Sequence, residues 1–396
     1  MISTTNKNIV FLFCIASTMG QIASYLYIPA LPVIGRDLHL TPGIMETSIS
    51  VFLIAFGVSQ ICYGSLSDAL GRKKVLAAGV IIIIIGSVMA AFARSGNELI
   101  LARFIQGLGA GAPSVIARTM IKDCIHDDKL SSAVAMLVLF ATLTPAVSPF
   151  ICGFILSFLA WQWIFIIIII YVCLLMLLFT IILPETHHPS KRTDLAVKTI
   201  VQNYINLLKS RDFLVYVSLI VLGFALVTLY IAMSPYVFQK QFGFTPFKYG
   251  IYMLFPMIGF AIGSMLAPKL NLPIRKITCL GAGLVIITSL ILLLLAVITN
   301  IFPFVVVLLI SIITIGSGLT YPMLTASMLK EFSKTVGVAA SFSGAIQISG
   351  SGVIVYIVAL LDLETVSQLA LSTLAVSIIM FILMFLLPKT NEKASH

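Results

Sequence analysis

The sequence predicts an all-α polytopic membrane protein, with twelve transmembrane helices arranged as two pseudo-symmetric six-helix bundles. Three observations carry that prediction. The chain of 396 residues is 60% apolar and only 10% charged, against roughly 25% charge in an ordinary soluble domain. Its apolar residues gather into twelve stretches of the roughly 20-residue length that crosses a bilayer as a helix. Its basic residues fall almost entirely on one side of the topology those stretches define. A soluble protein of this composition would expose large apolar patches, which excludes a soluble enzyme, a disordered chain and a secreted disulfide scaffold. An outer-membrane barrel is excluded too, because its alternating strands run for only about ten residues.

The first six stretches lie near 8–29, 46–67, 74–94, 97–118, 131–158 and 161–183. The last six lie near 213–238, 247–268, 275–298, 303–325, 335–361 and 365–387. Lys7 before an apolar run is leader-like, but the run is too long for a signal peptide. Pro29-Ala30-Leu31-Pro32 is no cleavage site either, so a retained span is expected. The fourth stretch is the least apolar, with Arg103, Gln106 and three glycines. The expected organisation is therefore an N-terminal bundle (1–183), a polar linker (184–212) and a C-terminal bundle (213–396). Within the linker Val197, Ile200, Val201, Tyr204 and Leu208 recur at helical spacing, with Lys198 and Lys209 between them. That pattern fits a short interfacial helix or an ordinary connector.

With both termini in the cytoplasm, nineteen basic residues fall inside and four outside (Arg36, Arg94, Lys240, Lys248), while Arg103 lies within a span. This is the positive-inside asymmetry. It explains the net charge of +10 as anchoring beside anionic lipid, with no nucleic-acid partner. The halves also echo each other. Gly64-Ser65-Leu66 closes the second span before Arg72-Lys73-Lys74, and Gly263-Ser264-Met265 closes the eighth before Arg275-Lys276, as in transporters built from two related bundles. The six cysteines form no CxxC pair and the five histidines lie in loops or at the end, so no metal site is expected.

The most specific stretch runs from Gly64 to Lys74. Asp68 ends a span, Gly71 suits a left-handed turn, and Arg72, Lys73 and Lys74 follow, which makes a tight charged reversal. It resembles the signature loop of the major facilitator superfamily, G-x-L-x-D-x-x-G-R-[KR]-[KR]. The resemblance implies the major facilitator fold. It also implies that Asp68 caps the start of the eleventh helix, near Ser333 to Gly337, in one state, a favourable site for a carboxylate. Arg72 is implied to pair with an acid after the fourth helix, for which Asp123 is the match. The plainer alternative is a charged turn that only fixes topology.

Arg103, Gln106, Gly107 and Gly109 look like the family's fourth-helix motif, R-x-x-Q-G-x-G, in which the arginine is tied to proton coupling. A cation beside an acid makes the acid's proton releasable; alternatively Arg103 reaches outward to phosphate or water. The glycines are read as close helix contacts, not a nucleotide site, since no strand precedes them and no Walker lysine follows. Pro145, Pro149 and Gly153 share one face of the fifth span. They resemble the antiporter-type motif in the form found in the Bcr/CflA drug-efflux branch; a structural kink alone is the other reading. Tyr27 to Pro32, Ser234-Pro235-Tyr236 and Pro184-Glu185-Thr186 echo the same branch.

The departures also matter. The branch commonly has an acid just before the first-helix Y-[LI]-P, where this chain has Ser24-Tyr25-Leu26-Tyr27. Either Glu46 or Asp37 carries the proton near the outer mouth, or Asp68 does, or transport is not coupled as the branch implies. For Glu46 the alternative is a solvated loop carboxylate. Gln21, Tyr25, Gln60, Gln106, Tyr230, Tyr236, Tyr321 and Gln347 are candidates for lining a central cavity; with abundant Phe and Met they suit amphipathic molecules.

The expected function is proton-coupled efflux of amphipathic drugs by alternating access, with export of a neutral or anionic metabolite such as a siderophore as the alternative. An uncoupled channel is disfavoured by the two-half layout. An enzyme is disfavoured because neither H-E-x-x-H nor G-x-S-x-G occurs. The resemblance implies a bacterial inner-membrane location and, as partners, a small molecule, protons and the lipid bilayer. The protein is expected to be a monomer with no cofactor, driven by the proton gradient.

Overall fold

The computed structural model describes residues 7–125, 128–182, 185–186, 197–299, 301–362 and 364–388. Among these the regular structure is all helical, and twelve helices are long and apolar enough to cross a membrane. In order, spans 1 to 6 are Ile9–Asp37, Pro42–Leu70, Arg72–Ala91, Gly96–Cys124, Ser132–Leu156 and Gln162–Ile182. Spans 7 to 12 are Arg211–Gln241, Pro246–Leu270, Ile274–Ile298, Pro303–Glu331, Val336–Ala359 and Val366–Leu386.

Four of these run past the hydropathy-based bounds by about a helical turn or more. Span 1 reaches Asp37, span 2 begins at Pro42, span 4 ends at Cys124 and span 10 ends at Glu331. Hydropathy stops where side chains turn polar, but a helix continues wherever its backbone bonds are made and its polar residues find partners or water. Span 1 is not one helix. It passes through Met19–Tyr25 and a 3₁₀ turn at Ile28–Ala30 before Leu31–Asp37, where Pro29 and Pro32 lack the N–H that a continuous helix needs. In the linker, Val197–Leu208 is helical. Leu207 is buried and Val201, Ile205 and Leu208 are exposed, while Tyr204 stacks on Phe342 of span 11 with ring centroids 4.4 Å apart.

The two sets of six spans meet along two seams. Spans 2 and 11 pack main chain to main chain: a Cβ on Gly57 would stand 2.5 Å from the Ala345 carbonyl oxygen, and one on Gly352 would stand 3.0 Å from that of Ser50. Spans 5 and 8 meet likewise, with a Cβ on Gly250 falling 2.7 Å from the Pro149 carbonyl oxygen. At the end holding Gly43 the halves are joined: the Gly43 N–H donates to Asp362 Oδ1 at 2.6 Å and Gln239 Nε2 donates to the Pro29 carbonyl at 2.8 Å. At the opposite end, where the basic corner lies, the start of span 11 is exposed and nothing stands within 4 Å of a Cβ on Gly337. The bundle is thus closed at the Gly43 end and open at the Arg72 end.

Candidate functional site

At the open end the chain reverses between spans 2 and 3 within one residue. Gly71 has φ 99° and ψ 150°, a region essentially closed to residues bearing a Cβ. The turn is therefore not the ordinary left-handed one expected, and glycine is required there all the more strictly. The reversal folds Arg72 back into protein, with 5% of its surface exposed. Its Nη1 donates to Ser67 Oγ and Asp68 Oδ1, both at 2.5 Å, and its Nε donates to Asp123 Oδ2 at 3.1 Å. The expected pairing with Asp123 is therefore present. Asp68 is half-exposed and turns to Arg72, not to the start of span 11; in this conformation the cap expected from the resemblance is not made. A further member was invisible as such in the sequence. Glu185 accepts the N–H groups of Arg72 at 3.0 Å and Lys73 at 3.1 Å, so a carboxylate from beyond span 6 sits on the positive N-terminus of span 3.

Arg103 lies in the middle of the N-terminal bundle with none of its surface exposed, which removes the reading that it reaches outward. Its guanidinium is sandwiched between Tyr27 and Phe52, 4.0 and 4.1 Å from the ring centroids. Cation–π attraction is strongest in such desolvated settings. Nη1 donates to the Ala23 carbonyl at 2.8 Å, beside the break in span 1, and to Gln106 Oε1, whose Nε2 donates to Ser87 of span 3 at 2.7 Å. The expected neighbouring acid is absent: among the described residues no carboxylate pairs with Arg103. The R-x-x-Q spacing serves instead as an internal hydrogen bond one helical turn long. Gly107 and Gly109 are close helix contacts, against Phe52 of span 2 and Gly79 of span 3.

Glu46 is the largest departure from expectation. Because span 2 starts at Pro42, Glu46 stands a turn inside it and is fully buried, not solvated in a loop. Neither carboxyl oxygen has a hydrogen-bond partner among the described residues, and neither does the buried hydroxyl of Tyr236. Tyr236 of span 7, with Asp362 and Glu364 beyond span 11, lies within electrostatic reach of Glu46. Glu46 therefore sits where the halves meet at the closed end, beside the Gly43–Asp362 bond. Glu364 is neutralised by Lys240. Asp37 is occupied elsewhere, accepting from Trp161 Nε1 at 2.7 Å.

Pro149 and Gly153 of span 5 also belong to the closed end, packed on Gly250 and on Pro246–Phe247 of span 8; Pro145, one turn earlier, is partly buried. The helix continues through both prolines. Of the candidate cavity residues, Tyr321 of span 10 donates to Gln347 Oε1 of span 11 at 3.1 Å, and Tyr25 of span 1, itself buried, lies within electrostatic reach of Tyr321 from the other half. Gln21 is partly exposed and its Oε1 has no partner among the described residues. Gln106, Tyr230 and Tyr236 are not on the cavity surface: all three are buried, Gln106 because Arg103 and Ser87 claim its amide.

Comparison with known proteins follows the same lines. The model of the Major Facilitator Superfamily matches residues 13–358. The chain is 25% identical over 362 residues to multidrug resistance protein D of Escherichia coli, covering 90% of this chain and 89% of that one. It is 25% identical over 261 residues to a bicyclomycin resistance protein homolog of Haemophilus influenzae, covering 66% of each. The inward open structure of the xylose transporter XylE from E. coli superposes with a TM-score of 0.74 over 98% of this chain and 97% of that one. At 13% identity that likeness concerns the fold alone.

Proposed function

The chain belongs to the Major Facilitator Superfamily, and from that premise we propose that it exports amphipathic organic molecules across a bacterial inner membrane in exchange for protons. The family and these relatives make it a transporter, not an enzyme. In this reading the basic, open end faces the cytoplasm together with both termini, and the bundles at 1–183 and 213–396 rock about the seams between spans 2 and 11 and spans 5 and 8. The names of the two relatives, both resistance proteins, support an efflux direction. The protein works as a monomer with the proton gradient as its energy source.

The observation that carries the coupling is the buried, unpartnered carboxyl of Glu46 at the closed seam. Burying an ionised carboxylate without a donor or cation costs many kcal/mol, and at membrane depth such a group marks a proton or substrate path. Closure of this end therefore requires Glu46 to take up a proton from the outer side, and loss of that proton toward the cytoplasm drives the end open again. Tyr236 from the other half gives Glu46 a neighbour that the rocking motion moves. The test is proton flux against substrate flux in proteoliposomes. Glu46→Gln mimics the protonated acid, so substrate counterflow should persist while gradient-driven accumulation disappears; accumulation equal to the parent's refutes the assignment.

A further inference from the structure

Span 4 carries a second arginine that neither the corner nor the Arg103 site uses. Hydropathy ends this span at 118 and leaves Arg118 among the loop anchors, whereas the helix runs on to Cys124 and places Arg118 within it. Its side chain is exposed although protein surrounds it, with Tyr321 of span 10 within electrostatic reach from the opposite half. Exposure within a span and a neighbour in the other bundle together mean that Arg118 faces the gap between the halves, which is open at the basic end. Among the described residues no carboxylate forms an ion pair with it. Lys122, one turn nearer the open end on the same face, is exposed as well.

A guanidinium in a membrane span normally pairs with an anion, with backbone carbonyls or with water in a cavity, and among the described residues no carboxylate pairs with this one. The surroundings indicate what would serve. Tyr321 is flanked by Phe224 and Phe260, with ring centroids 5.8 and 6.2 Å away, and holds Gln347 by a hydrogen bond. A planar, permanently charged fork beside an aromatic wall suits a carboxylate or sulfonate carried on a flat apolar body. The gap also attracts anions, because Arg118 and Lys122 both present positive charge to it while its polar neighbours Gln21 and Gln347 are neutral.

We infer that Arg118 is the anion-binding residue of the central cavity and that the transported compounds include amphipathic organic anions, paired with Arg118 and stacked on Tyr321. The inference deepens the export reading above and takes only the direction of transport from it. The test is equilibrium binding to the full chain in lipid nanodiscs without any gradient. The probes are 2-naphthoate, its methyl ester and 2-naphthyltrimethylammonium. Wild type should bind naphthoate more tightly than either analogue. Arg118→Gln should weaken naphthoate by about ten- to a hundredfold, the range of a charge-assisted bond, and leave the ester unchanged, while Arg118→Lys should recover most of the loss. Equal affinity of wild type for all three probes overturns the inference without any variant. So does naphthoate binding that Arg118→Gln leaves intact, or an equal loss for naphthoate and ester, which marks a packing role. Binding as expected together with transport indifferent to the proton gradient would refute the export reading alone.

Discussion

Replacing Asp362 by Asn should open the closed end. The Asp362 carboxylate lies 2.6 Å from the Gly43 N–H, in the first turn of span 2, where Thr41 provides no side-chain cap. Its backbone is left-handed, with φ 52°, a conformation Asn adopts readily, so the substitution removes charge without straining the turn. A hydrogen bond to a charged group contributes about 1.5–3 kcal/mol and a neutral one about 0.5–1.5; the interaction with the helix dipole adds about 0.3–1. The loss is then about 1.5–2 kcal/mol, or roughly ten- to thirtyfold in the ratio of states. Ala359, whose carbonyl faces Gly43 and which is 3% exposed, offers a reporter. With the native cysteines replaced, Ala359→Cys should react with a membrane-impermeant maleimide ten- to thirtyfold faster in the Asp362→Asn background. A rate within about twofold of the parent would refute the view that this bond holds the end shut.

Asp68→Asn should act in the opposite sense, because it removes the carboxylate expected to hold the start of span 11 once the open end closes; labelling at Ala359→Cys should slow, and transport should fall while membrane insertion is normal. Arg103→Lys should lower the thermal unfolding midpoint measured by thiol-reactive dye, with a destabilisation of about 2 kcal/mol or more, since an ammonium cannot stack between Tyr27 and Phe52 while also bonding Ala23 and Gln106; an unchanged midpoint would count against a structural role. Glu185→Gln should weaken the N-terminus of span 3 by about 0.3–1 kcal/mol, detectable as faster amide hydrogen exchange at Arg72 and Lys73.

The fold was legible because lipid imposes a coarse rule: twelve apolar runs of helical length leave few other solutions, and the Asp–Gly–Arg corner marks its own position. The exact helix ends were not legible, and much of the site depends on them. Glu46 reads as a loop acid if span 2 begins at 46 and as a buried one if it begins at Pro42. Arg118 is an anchor or a cavity residue according to where span 4 stops. The Gly43–Asp362 bond joins residues 319 apart in the chain, and no local pattern announces it. Gln106 was assigned to the cavity on polarity alone, whereas its amide accepts from Arg103 and donates to Ser87.

The backbone seam between spans 2 and 11 has a consequence for how such a molecule diversifies. Where Gly57 presses against the main chain of span 11 and Gly352 against Ser50, Leu53 and Ile54 of span 2, one helix at each contact has no side chain to unmesh and re-engage on each cycle. The bearing surface is then largely indifferent to what the chamber carries. Side chains around the chamber can be exchanged for new cargo while the joint turns as before, so selectivity and motion are free to drift independently.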